Sequence, residues 1–201
     1  EVQQLYNSGS GMTYTTSFDS LNINSNYPPN AFNSSSNTLS FNCNATSVGS
    51  NITSFNLSVY NSSSAVYSNK TTVNNLTYLM NWTSVTLPRD GSYSWNCSAS
   101  NNAGLNATST TLNFTTDTTS PSITINFPTA TTYNYNVTNI TWNITHPAGA
   151  LSSCWFSNNS GANNYTVTCA NNISYQNSSQ GSNTWKLYAN DTFNNVGSAT
   201  V

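Results

Sequence analysis

Charge is what this sequence has least of. Glu1, Asp19, Asp90, Asp117, Asp191, Lys70, Arg89 and Lys186 are its whole complement, 4% of 201 residues, against roughly a quarter in an ordinary soluble domain. A net charge of −2 spread this thinly leaves no basic footprint for nucleic acid and no polybasic patch for a membrane surface. It also supplies little repulsion between copies, so something other than charge must keep the surface soluble. No run of about 18 apolar residues occurs, so no membrane-spanning helix is expected. No signal-peptide pattern is present, and the chain opens on Glu1 in mid-pattern, as a processed or excerpted chain would. A Gly-rich phosphate loop and an amphipathic helical period are missing too.

Amide and hydroxyl stand where charge would. There are 37 Asn, 34 Ser and 30 Thr. Such polar bias alone fits disorder, but aromatic residues are 12% of the chain and recur in alternating runs. Disorder is therefore expected only in segments such as 33–38. The glycan-acceptor triplet Asn-x-Ser/Thr, with x not Pro, occurs at nineteen of the 37 Asn. These are Asn33, Asn44, Asn51, Asn56, Asn61, Asn69, Asn75, Asn81, Asn96, Asn106, Asn113, Asn136, Asn139, Asn143, Asn158, Asn164, Asn172, Asn177 and Asn190. Chance placement gives about 12, so the count is a modest signal and position must carry the argument.

Position does so through a period of two. Leu39, Phe41, Cys43 and Ala45 alternate with Asn42 and Asn44. Phe55, Leu57 and Val59 flank Asn56, and Tyr93, Trp95, Cys97 and Ala99 flank Asn96. Leu112 and Phe114 enclose Asn113. Ile140, Trp142 and Ile144 alternate with Asn139 and Asn143, and Trp185, Leu187 and Ala189 lead to Asn190. Alternate side chains of a strand point to opposite faces, so every acceptor Asn in these runs falls on the outward parity. Short strands, turn signals and no helical period imply an all-β sandwich.

The chain also repeats itself. Residues 21–43 align with 123–144: Tyr27-Pro28 with Phe127-Pro128, and Leu39, Phe41 and Cys43 with Ile140, Trp142 and Ile144. Residues 91–104 align with 181–197, placing Trp95 on Trp185, Cys97 on Leu187 and Ala99 on Ala189. A short extended linker, "FTTDTTSPS", joins the copies. The domains expected are 1–20 as an N-terminal strand and linker, 21–116 as the first sandwich, and 117–201 as the second, with its last strand incomplete. Cys43 and Cys97 face inward on the second and sixth strands of the first copy and are expected to bond across its sheets. Cys154 and Cys169 suggest a local staple in the second. Four cysteines allow three pairings, so the choice stays open at this point. Their even number fits an oxidising, extracellular compartment.

Inward Cys43 and the stretch "DGSYSWNC" with Ala99 resemble immunoglobulin-like domains. Trp95 stands where such domains place a tyrosine, Tyr93 lies two residues before it, and Phe55 occupies the place of the usual third-strand tryptophan. "DTTSPSITINFPT" (117–129) and "GSNTWKLYANDTFNNVGSATV" (181–201) are closer still to tandem immunoglobulin-like and fibronectin-III-like repeats of prokaryotic, especially archaeal, cell-surface and filament glycoproteins. The resemblance covers most of residues 21–201. It implies two tandem immunoglobulin-like sandwiches in a secreted or surface-anchored structural or adhesive protein, and it is weak for function because sandwich folds host many roles.

"GMTYTTSFDS" (11–20) aligns with the closing strand and linker of the first copy (110–119). Either the chain is an excerpt of a longer array, or its N-terminal strand completes a neighbour's sheet by strand addition. Self-association into a polymer, or continuation in a longer repeat chain, is the expected partnership. Covalent N-glycans are expected and no cofactor.

Candidate chemistry is sparse. His146 is the only histidine. It is read in a strand-end turn without nearby carboxylates, and no metal or catalytic site is expected there. Asp19 and Asp117 occupy matching linker positions, and Asp191 is read in a strand-joining loop. Tyr60, Tyr67, Tyr133 and Tyr135 are candidates for an exposed sugar- or partner-binding face. The expectation is a structural unit of a surface filament or array, not an enzyme, with an adhesin or receptor-type binding module as the rival. A surface so poor in titrating groups is expected to keep its stability nearly flat through acidic pH.

Overall fold

The computed structural model describes residues 2–8, 11–147, 149–170, 172–174 and 176–201, with the backbone alone for residues 2–17. Among these residues there are strands and turns and no α-helix, so none crosses a membrane as a helix. The chain divides into two units, Glu1–Thr116 and Asp117–Val201.

In the first unit, β3 (Ser20–Tyr27), β5 (Thr38–Val48) and β8 (Thr77–Thr86) form one sheet. The other runs β4 (Phe32–Ser34), β11 (Leu112–Thr116), β9 (Gly91–Asn101), β6 (Ile52–Tyr60), β7 (Ala65–Asn75), with β10 (Asn106–Thr108) also on β9. The expected alternation is visible in β5, where Leu39, Phe41, Cys43, Ala45 and Ser47 are buried and every residue between them is not. The two apolar faces close on one core. Phe41 meets the edges of Trp95 and Phe114 at centroid distances of 5.2 and 5.7 Å. Phe55, standing where immunoglobulin domains place tryptophan, lies 5.8 Å from Trp82 of β8, so the large indole reaches that region from the opposite sheet. The Tyr93 hydroxyl donates to the Arg89 carbonyl at 2.7 Å. This is the corner bond of immunoglobulin-like sandwiches, made two residues earlier than usual.

The second unit repeats this order: β12 (Ser122–Phe127), β13 (Asn139–Thr145) and β16 (Asn172–Ser174) in one sheet, and β15 (Tyr165–Val167), β14 (Leu151–Ser157), β17 (Lys186–Asp191) and β18 (Val196–Thr200) in the other. Ile140, Trp142, Phe156, Trp185 and Leu187 build its core. Close to β18, the backbone of Pro121 passes Gly197 so tightly that a Cβ there would stand 1.9 Å from the Pro121 oxygen. Only glycine admits that approach.

Two expectations need correction. Residues 2–17 hold two strands, not one: β1 (Val2–Ser8) and β2 (Gly11–Ser17) pair antiparallel with each other, Val2 opposite Ser17. Glu1, Gly9 and Ser10 lie outside the described residues. Segment 33–38 is not disordered. Phe32, Asn33 and Ser34 pair in parallel with Phe114, Thr115 and Thr116, and the Asn37 amide donates to Asp90 at 2.8 Å. At the end of the second unit, β18 pairs with β17 over Lys186–Asn190, and Val201 exchanges two backbone hydrogen bonds with Trp185.

Candidate functional site

Both disulfides join the expected partners. Cys43 of β5 bonds Cys97 of β9 across the first sandwich, and Cys154 of β14 bonds Cys169 just beyond β15. In the second unit the places of Cys43 and Cys97 hold Ile144, packed against the core, and fully buried Leu187. Both aliphatic side chains belong to the core of that unit.

The acceptor asparagines are exposed or half-buried, with the Oδ1 of Asn190 itself out of water. Thirteen sit in strands and six in loops, and none of the nineteen is buried. Asn33, Asn69, Asn75, Asn81, Asn106, Asn113, Asn136, Asn143, Asn164, Asn172 and Asn177 are exposed, and Asn44, Asn51, Asn56, Asn61, Asn96, Asn139, Asn158 and Asn190 are half-buried. On the three-stranded sheet of the first unit two of them, Asn44 and Asn81, join an amide ladder with Asn26 and Asn42. Asn26 donates to Asn42 at 2.7 Å and to Asn44 at 2.9 Å, and Asn42 donates to Asn81. In this ladder Asn44 and Asn81 accept through Oδ1, which leaves their nitrogens for a glycosidic bond. Outermost strands carry acceptors as well: Asn33 on β4, Asn69 and Asn75 on β7, Asn81 on β8, Asn106 on β10 and Asn172 on β16. Bulky groups there would block the edge-to-edge pairing that open sheets invite.

Of the four tyrosines, Tyr67 and Tyr133 pack against their cores, Tyr60 is half-buried and Tyr135 is exposed. Tyr133 meets Phe127 and Tyr135 at centroid distances of 5.5 Å. With Trp185 these tyrosines line an open, mostly polar cleft of about 990 Å³ between the 128–137 and 178–183 loops of the second unit.

The reading of His146 needs the largest correction. It does have carboxylates beside it: its Nε2 lies 3.2 Å from Asp191 Oδ2 and 3.6 Å from Asp117 Oδ2. The three side chains are 2%, 0% and 4% exposed, respectively. Asp191 ends β17 on its inward parity rather than sitting in a loop, and His146 immediately follows β13. Asp191 organises the turn to β18. Its Oδ1 accepts the N–H groups of Phe193 and Asn195 at 2.8 and 2.9 Å, and its Oδ2 accepts the Asn195 amide at 2.9 Å. That same amide donates to the Asp117 carbonyl at 2.7 Å, and Thr119 N–H donates to Asp117 Oδ1 at 2.9 Å. Burial pushes the Asp191 carboxyl up, but the donors from Asn195 and Phe193 and the nearby imidazole outweigh it and hold the group below the usual aspartate range. Asp117 Oδ2 and both imidazole nitrogens are buried without a hydrogen-bond partner. The missed signal was parity: His146 continues the inward series Ile140, Trp142, Ile144, and Asp191 continues Trp185, Leu187, Ala189.

No family model and no curated protein matches the chain. Among solved structures, it is similar to the fibronectin(III)-like modules of Clostridium thermocellum CbhA, with 15% identity, 89% of this chain and 91% of that one covered, and a TM-score of 0.42. It is also similar to a tetra-tandem repeat from the extending region of a large adhesion protein, with 18% identity, 94% and 50% coverage and a TM-score of 0.36. A third likeness is to a 1.5-MDa bacterial ice-binding adhesin, with 14% identity, 93% and 63% coverage and a TM-score of 0.38. The chain thus spans half to under two thirds of the two adhesin structures.

Proposed function

We infer that this chain is a structural module of an extracellular surface, a unit of a filament or array, with N-linked glycans as its solubilising coat. The observation that carries the reading is the placement of nineteen acceptor asparagines, none of them buried, on a chain with 4% charged residues. Glycans supply the hydration and steric separation that charge supplies elsewhere. Two disulfides fit an oxidising compartment. Assembly by strand addition would use outermost strands that carry no acceptor, β3, β12, β15 and β18. Immunogold labelling of the native cell surface tests this. Label along filaments or a continuous layer supports the reading, and label confined to the cell interior overturns it.

A binding-module reading is favoured by one feature, the cleft with Tyr133, Tyr135 and Trp185. Aromatic faces beside amide donors suit a saccharide. Loss of glycan-array binding on Tyr135→Ala would support that reading over a purely structural role.

A further inference from the structure

In the first unit, the positions matching His146 and Asp191 are Ala45 and Asn101. Both are buried; Asn101 accepts Leu105 N–H at 2.9 Å and donates to Ser47 at 3.1 Å. That arrangement is neutral and largely satisfied. The second unit replaces it with an imidazole facing two carboxylates, and it also lacks the cross-sheet disulfide.

We propose that Asp117, His146 and Asp191 hold one divalent transition-metal ion of the zinc class, a clip that ties the entering chain, β13 and β17 of the second unit together. The three donor atoms, Asp117 Oδ2, His146 Nε2 and Asp191 Oδ2, lie within 4.8 Å of one another. Bonds of roughly 2.1 Å in a tetrahedral site put neighbouring ligand atoms about 3.4 Å apart, and the observed separations from Nε2 are 3.2 and 3.6 Å. His146 Nε2 and Asp117 Oδ2 are buried and make no hydrogen bond, which is costly for polar atoms out of water and which a cation between them would relieve. The remaining oxygens, Asp117 Oδ1 and Asp191 Oδ1, already accept the N–H groups of Thr119, Phe193 and Asn195, as outer hydrogen bonds orient metal-binding carboxylates, and Asp191 Oδ2 accepts the Asn195 amide. One imidazole nitrogen with two carboxylate oxygens suits zinc and its neighbours. Calcium and magnesium prefer fuller sets of oxygen. On the side of Gly149, a Cβ would stand 3.4 Å from Nε2.

The test uses the full chain, freed of metal by chelation and titrated with zinc chloride. His146 is the only histidine, so its ring protons give a unique NMR signal. The expected result is one zinc per chain, a stoichiometric move of that signal, and a second-unit melting transition raised by several degrees. His146→Ala and Asp191→Asn install the first unit's own residues. His146→Ala should weaken zinc binding by about a hundredfold or more, since even partners that merely orient metal ligands are worth up to that much. Ring signals that ignore zinc and respond to pH alone would mean a protonated imidazole between two carboxylates, and would overturn the proposal. So would equal stabilisation of His146→Ala by zinc. If that variant does not fold, the NMR titration of the unsubstituted chain decides.

Discussion

His146 Nε2 stands 3.2 Å from Asp191 Oδ2 across the second sandwich, just beyond the level at which Cys43 and Cys97 are bonded across the first. Each unit fastens its two sheets to each other in its own way, one covalently and one through aliphatic packing and a buried polar cluster.

That cluster alters the expected pH behaviour. Asp191 is held below the usual aspartate range in the folded chain. A lowered carboxyl contributes stability that is fully present above the unfolded value of about 3.9 and disappears as pH falls through the folded value. In metal-free protein, calorimetry between pH 7 and 2 should therefore show the first unit melting at nearly constant temperature. The second unit should hold steady to about pH 4 and then lose stability. Asp191→Asn should flatten that loss. A second-unit transition that rises or stays level below pH 4 in the unsubstituted chain contradicts the assignment.

Gly197→Ala should cost the second unit about 3 kcal/mol, the upper end of ordinary overpacking, because the added carbon meets the Pro121 backbone oxygen at 1.9 Å. Neighbouring Ser198 is exposed, and Ser198→Ala should stay within about 0.5 kcal/mol. Urea unfolding of the two variants gives both numbers; equal stability would mean that the chain at Pro121 moves aside freely.

The disulfides close loops of different length, with sequence separations of 54 and 15. Chain entropy assigns them roughly 4 and 3 kcal/mol. Converting both Cys43 and Cys97 to Ala should lower only the first-unit transition, and converting Cys154 and Cys169 only the second. Peptide mapping under non-reducing conditions checks the pairing, and a Cys43–Cys154 peptide would refute it.

The sandwich was legible because period-two alternation states which face of a strand is wet. Phe41, Trp95, Phe156 and Leu187 are buried, and the acceptors between such residues are not. The His–Asp–Asp cluster was hidden because its members are 29 and 45 residues apart and meet only when two sheets close. Proximity in sequence was the wrong test; inward parity at one end of facing strands was the right one.

The most direct test of the central claim is intact glycopeptide mass spectrometry on the protein isolated from its own source. The account predicts glycan mass on several of the eleven exposed acceptors, including the edge-strand residues Asn69, Asn75 and Asn172. All nineteen acceptors found at the mass of unmodified asparagine would contradict it.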